Sequence, residues 1–120
     1  MLKGRFMTHE MKLDPKPFES IASGKKTIEL RLYDEKRQKI AVGDTIIFSN
    51  RTVGETIRVK VLALHRFPSF KELYDTLPLE KCGYCKSEIT ADSYKDMLKY
   101  YKESDQLLYG VVGIEFEKVK

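Results

Sequence analysis

Ser23-Gly24-Lys25-Lys26-Thr27-Ile28-Glu29-Leu30-Arg31-Leu32-Tyr33-Asp34 is the stretch on which the fold of this chain turns. Gly24 can end a helix, and within three residues a strict alternation begins, with Ile28, Leu30 and Leu32 set against Thr27, Glu29, Arg31 and Tyr33. Successive strand side chains point to opposite faces. The segment therefore predicts a strand over 27–33 with one wholly apolar face and one face carrying an acid, a base and two hydroxyls. Lys25 and Lys26 stand at its mouth.

Upstream, residues 8–13 read as a first strand. Asp14-Pro15 reads as a helix start, with an acidic N-cap and proline at the first helical position, where no N–H is needed. Phe18, Ile21 and Ala22 recur at helical spacing before Gly24. Downstream, the charged run Asp34–Lys39 suits one exposed helical turn, and Val42-Gly43-Asp44 turns into a third strand, Thr45–Ser49. Residues 50–54 read as a hairpin-like loop and Glu55–His65 as a fourth strand, apolar throughout Val61–Leu64. Ser69-Phe70-Lys71-Glu72 matches a capping box, predicting a short helix to Leu77 that Pro78 ends. Residues 79–89 read as loop. A helix capped by Thr90 or Asp92 would carry Tyr94, Met97, Leu98 and Tyr101, and a last strand would run Leu107–Glu117 with Leu108, Val112, Ile114 and Phe116 on one face.

The order is β-α-β-β-β-α-α-β, which offers few parallel crossovers and argues against a doubly wound sheet. It predicts an α+β fold, a small and mostly antiparallel sheet curled into a β-barrel with peripheral helices at its ends. At 120 residues and 14.0 kDa, residues 1–120 read as one domain, which buries roughly 65% of its unfolded surface without staples.

Charged residues make up 33% and hydrophobic residues 42%, a composition of globular rather than disordered chains. No apolar run reaches the ~20 residues of a membrane helix. Met1–Met7 holds no secretory apolar core, and with only two cysteines the cytoplasm is the expected location. The net charge of +4 is uneven. Residues 1–66 hold fourteen Lys/Arg against eight Asp/Glu, and residues 67–120 hold eight against ten. That tilt suits a polyanion such as RNA on one side of the molecule, although a mildly basic surface accounts for it equally.

Cys82-Gly83-Tyr84-Cys85 has half the ligands of a structural zinc site, with no second such pair and no histidine at metal-like spacing. It also lacks the βαβ setting of a redox pair. Structural or incidental thiols fit it better than metal or redox chemistry, so neither a metal nor a cofactor is expected. His65, near the end of a core strand, reads as a packed, hydrogen-bonded histidine. Gly110-Val111-Val112-Gly113 reads as glycines within a strand, allowing close approach rather than cradling phosphate. Lys26, Thr27, Glu29 and Arg31 leave two readings. On an exposed strand they form a solvated ion pair worth ~0–1 kcal/mol. In a barrel mouth they are partly buried and must pair or bind something.

At these residues the chain resembles the ASCH family (activating signal cointegrator homology), a branch of the PUA-like barrels. The likeness covers the Gly-x-Lys-Thr-x-Glu-x-Arg motif at 24–31, the Val42-Gly43-Asp44 turn into Ile46-Ile47-Phe48, the Phe67-Pro68-Ser69-Phe70 helix start, and Tyr109-Gly110-Val111-Val112. It implies a small PUA-like barrel whose cleft, lined by the motif, binds RNA or a nucleotide-like ligand. In that reading Lys25, Lys26, Thr27, Glu29, Arg31 and Tyr33 contact the ligand, and tyrosines such as Tyr33 or Tyr109 stack on bases. The resemblance also implies an alternative function, since some small bacterial members are amidohydrolases acting on N4-acetylcytidine through a lysine, a threonine and a glutamate. Lys26 matches the lysine, Glu29 stands at the threonine position, and Glu88 is the nearest candidate for the glutamate.

Overall fold

The computed structural model describes residues 5–119. Its elements are β1 (Thr8–Leu13), α1 (Pro15–Ala22), β2 (Ile28–Leu32), α2 (Glu35–Gln38), β3 (Thr45–Asn50), β4 (Thr56–Phe67), α3 (Phe70–Thr76), α4 (Glu103–Tyr109) and β5 (Val111–Lys118). Three 3-10 helices, Leu79–Cys82, Lys86–Glu88 and Ser93–Lys99, fill the chain between α3 and α4. Among the described residues no helix is long and apolar enough to cross a membrane.

The five strands form one sheet in the order β1-β3-β4-β5-β2. The β3–β4, β4–β5 and β5–β2 pairs are antiparallel, and β1 lies parallel to β3. The expectation of a mostly antiparallel sheet holds in three of the four pairings. The barrel is what is corrected, because the sheet, made mixed by the β1–β3 pair, is strongly curled but open. The cause lies in the connections. Helix α1 carries the chain from β1 at one edge to β2 at the other, and α2 returns it to β3, so β1 meets β3 after a long crossover that permits parallel pairing. The register of β4 on β5 slips between Val61 and Ala63, a bulge of the kind that bends a strand.

Each face of the curl buries its own core. Inside, Met11, Phe18, Ile46, Phe48, Val61, Ile114 and Phe116 pack together, with Phe18 and Ile21 of α1 closing one end. Outside, the apolar face of β2 (Ile28, Leu30 and Leu32) meets Phe70 and Leu73 of α3. Because both cores are apolar, β2 is buried on both faces, and its polar residues point into the inner core's rim rather than into bulk water.

Two other expectations change. The helix predicted from Thr90 or Asp92 is the 3-10 helix Ser93–Lys99. Here the Ser93 hydroxyl accepts from the Thr90 N–H at 2.9 Å and the Thr90 hydroxyl from the Asp92 N–H at 3.2 Å, local turn bonds that compete with an α-helical start. The strand predicted from Leu107 begins instead at Val111, because 103–109 form α4. Gln106 anchors that helix by accepting from the Phe70 N–H at 3.1 Å, and Leu107 and Leu108 are left 85% and 71% exposed. Ser69 caps α3 as expected, accepting from the Glu72 N–H at 3.4 Å.

Candidate functional site

Glu29 is the centre of the site. It lies opposite Ile114 on β5, and two residues on Arg31 lies opposite Val112. Val112 and Ile114 belong to the inner core, so both charged side chains project to the inside of the curl. Glu29 is only 4% exposed, and a carboxylate so buried must be paired. One oxygen lies 2.7 Å from Lys26 Nζ and the other 2.7 Å from Arg31 Nε. Burial disfavours the charged carboxylate, but Lys26 and Arg31 outweigh it and hold Glu29 below its ordinary pKa. The reciprocal effect appears on Arg31. Burial pulls its pKa down, while Glu29 and the hydroxyl of Tyr101 more than compensate and raise it.

Local structure sets these positions. Ser23 and Gly24 end α1 through bonds to Glu19 and Ile21 carbonyls, and Gly24 takes φ +85°. The Lys26 N–H then bonds the Ser20 carbonyl at 3.0 Å and the Thr27 N–H bonds the Lys81 carbonyl at 2.8 Å, which fixes the base of the Lys26 side chain. Its aliphatic stem runs beside the Gly83 turn, where a Cβ would come within 3.4 Å of Lys26 Cδ. The Cys82–Cys85 segment therefore walls the lysine. Cys82 is buried and Cys85 exposed. Burial pushes the Cys82 thiol up to about 12, with Lys26 opposing and Glu29 adding to the rise.

Arg31 has a second task. Its Nη2 donates to the Lys12 carbonyl of β1 at 3.1 Å, and Arg51 approaches the same oxygen at 3.5 Å. The two edge strands are thus bridged by a side chain where a closed barrel would have a backbone ladder. With two cations around one carboxylate, the cluster carries a net positive charge. Lys36 responds to the same field: burial, then Arg37 and Arg31, lower its pKa.

The structure brings Lys26, Glu29 and Arg31 together, and Thr27 is half-buried. Lys25 is exposed at the mouth. Glu88 is exposed on its 3-10 turn and shares no hydrogen bond or ion pair with this cluster. His65 bonds Glu115 at 2.8 Å and lies away from the cluster. Among the described residues no three His, Cys, Asp or Glu side chains gather as a metal site.

Tyr33, next in the alternation, packs against the inner core and lines a groove of about 350 Å³ with Arg66, Phe67, Pro68, Tyr109 and Gly110. The Arg66 guanidinium lies 4.2 Å from the centre of the Tyr33 ring. Arg66, Val112 and Arg31 stand abreast across β4, β5 and β2, which places the two arginines roughly 10 Å apart on one face. Arg66 is passed over by sequence reading, which gives Phe67 and Tyr101 only structural places, in a helix start and on a helix face. Arg66 and Phe67 sit just past the apolar run of β4, and no local pattern ties them to β2.

A curled, open, mixed sheet with a Gly-x-Lys-Thr-x-Glu-x-Arg strand along its seam defines a small α+β protein of the PUA-like kind. The chain belongs to the ASCH domain family, whose model matches residues 11–120. It is similar to the hypothetical protein PH0355, with 37% identity, a TM-score of 0.79, and coverage of 94% of this chain and 100% of that one. Protein PF0455 from Pyrococcus furiosus is 34% identical, with a TM-score of 0.72 over 95% of this chain and 99% of that one. The ASCH protein from Zymomonas mobilis shares the fold at a TM-score of 0.62 and 17% identity, over 90% of this chain and 65% of that one. No curated protein matches the chain significantly.

Proposed function

We propose that this protein binds RNA, or a nucleotide or nucleoside, at the seam between β1 and β2. The observation that carries the reading is the buried Glu29 held between Lys26 and Arg31. A carboxylate with both oxygens engaged has little capacity left for ligand. Its role is to hold two cations at the seam, where their remaining N–H groups would meet phosphate or base-edge acceptors. The tilt of positive charge toward residues 1–66 and the exposed Lys25 at the mouth support an anionic partner. Membership of the ASCH family agrees with it.

The test is fluorescence anisotropy of a labelled single-stranded RNA across a salt series. Binding is expected to weaken linearly in log salt, with a slope of about 0.7 per phosphate contact. Lys25→Ala, which removes an exposed charge and no packing, is expected to lower that slope by about one contact. Lys26→Met is expected to abolish most of the affinity. Absence of binding at low salt across a panel of RNAs and nucleotides would overturn the proposal.

A further inference from the structure

We infer that the groove beside β2 is a stacking pocket for one unpaired nucleobase, with Tyr33 as its floor; the inference rests on the RNA reading above. Three observations carry it. First, the groove's volume of about 350 Å³ lies at the small end of ligand sites and suits a single base with its sugar rather than a duplex. Second, its lining is aromatic on two sides, Tyr33 just past the end of β2 and Tyr109 at the end of α4. Third, a flat π-system already lies over Tyr33: the Arg66 guanidinium, 4.2 Å from the ring centre.

Arg66 is exposed, so its contact with Tyr33 is a weak one and easily exchanged. A base entering the groove takes the place of the guanidinium on Tyr33. Arg66 then turns toward the phosphate of the same nucleotide, while Arg31, in the same cross-strand row, reaches the neighbouring one. Tyr33 and Tyr109 supply affinity that is indifferent to salt, and Arg66 supplies affinity that salt screens.

A single-stranded RNA carrying one 2-aminopurine separates these contributions. Its fluorescence is expected to be quenched on binding, and an RNA duplex with the same label is expected to show no quench. Tyr33→Leu and Tyr109→Ala are each expected to lose the quench and about 5- to 150-fold in affinity, with the salt slope unchanged. Tyr33→Phe is expected to keep both. Arg66→Gln is expected to keep the quench and lower the salt slope by about 0.7. RNA that binds without quench, and binds Tyr33→Leu and Tyr109→Ala as tightly as the parent, overturns the stacking pocket and leaves the seam reading standing. RNA that does not bind the parent protein at all overturns both.

Discussion

Arg31 Nη2 donates to the Lys12 carbonyl at 3.1 Å, so one guanidinium joins the two edge strands of the sheet and, through Nε, holds Glu29. The opening of the curl and the site within it therefore share a residue. An open sheet exposes unpaired backbone groups at both edges, and here one of those groups is satisfied by a side chain that the site also uses.

Arg31→Ala is expected to cost about 3–5 kcal/mol of stability in urea unfolding, because it leaves a buried carboxylate with one partner instead of two. Arg31→Lys is expected to recover only part of this, since an ammonium lacks the planar fork that reaches Glu29 and the Lys12 carbonyl at once. The informative comparison is the triple variant Lys26→Met, Glu29→Leu, Arg31→Met. Replacing a whole buried network by apolar residues is commonly neutral or stabilising by about 1–4 kcal/mol. That variant is expected to match or exceed the stability of the parent protein while binding no RNA. A triple variant that unfolds like Arg31→Ala would show that the seam tie itself, rather than the charge, holds the sheet.

The pH dependence of stability follows from Glu29 and Asp44. Glu29 is held below 4.5 in the fold. Asp44 is held below 3.8: burial opposes its charge, but N–H groups of Met7 and Ala41 and the His9 ring overcome it. When the folded pKa is the lower one, the unfolded chain takes up its proton first as pH falls. Both contributions are therefore complete above the ordinary carboxylate values and drain away as pH drops through and below them. Glu29→Gln is expected to be less stable than the parent at pH 7 and to lose stability less steeply through the acid range. Parallel acid limbs for the two proteins would rule out Glu29 as a contributor.

The β2 stretch was legible because its information is local. Alternation of Ile28, Leu30 and Leu32 against Glu29 and Arg31 requires only a strand buried on both faces, and the structure has one. The turn at Asp44 and the Ser69 cap were legible for the same reason. The parallel pairing of β1 on β3 was not, because it depends on where α1 and α2 deliver the chain. Residues 103–109 misled in another way. Leu107, Leu108 and Tyr109 look like strand, yet the buried Gln106 bonded to Phe70 settles them as helix, and that bond joins residues thirty-six apart. The groove escaped for want of proximity: Tyr33 and Arg66 meet only because β5 lies between their strands.

The two cysteines are expected to differ in reactivity. Cys85 is exposed, whereas Cys82 is buried with its thiol pushed up to about 12, and the thiolate is the reactive form. Titration with a chromogenic disulfide at mildly alkaline pH is expected to count one thiol in the folded protein and two in denaturant. Cys85→Ser is expected to abolish the fast reaction, and Cys82→Ser to leave it intact. Equal, rapid labelling of both in the native state would mean that the turn walling Lys26 opens readily.

Gly110 links the groove to the fold through backbone geometry. It ends α4 at φ +73° and ψ −174°, a region that only glycine enters readily, and its carbonyl accepts from the Tyr33 N–H at 2.9 Å. A Cβ there would stand 3.1 Å from the Phe67 carbonyl oxygen, a backbone atom that cannot swing aside. Gly110→Ala is expected to cost about 1–3 kcal/mol from conformational strain. The strained residue touches both Tyr33 and Phe67, so the loss is expected to extend to RNA affinity measured well below the unfolding transition. Gly54→Ala is the control: it also carries a positive φ, +77°, but a Cβ there meets nothing within 4 Å. It is expected to lower stability and leave affinity unchanged. Equal affinity losses in the two variants would assign the Gly110 effect to global destabilisation instead of the shape of the groove.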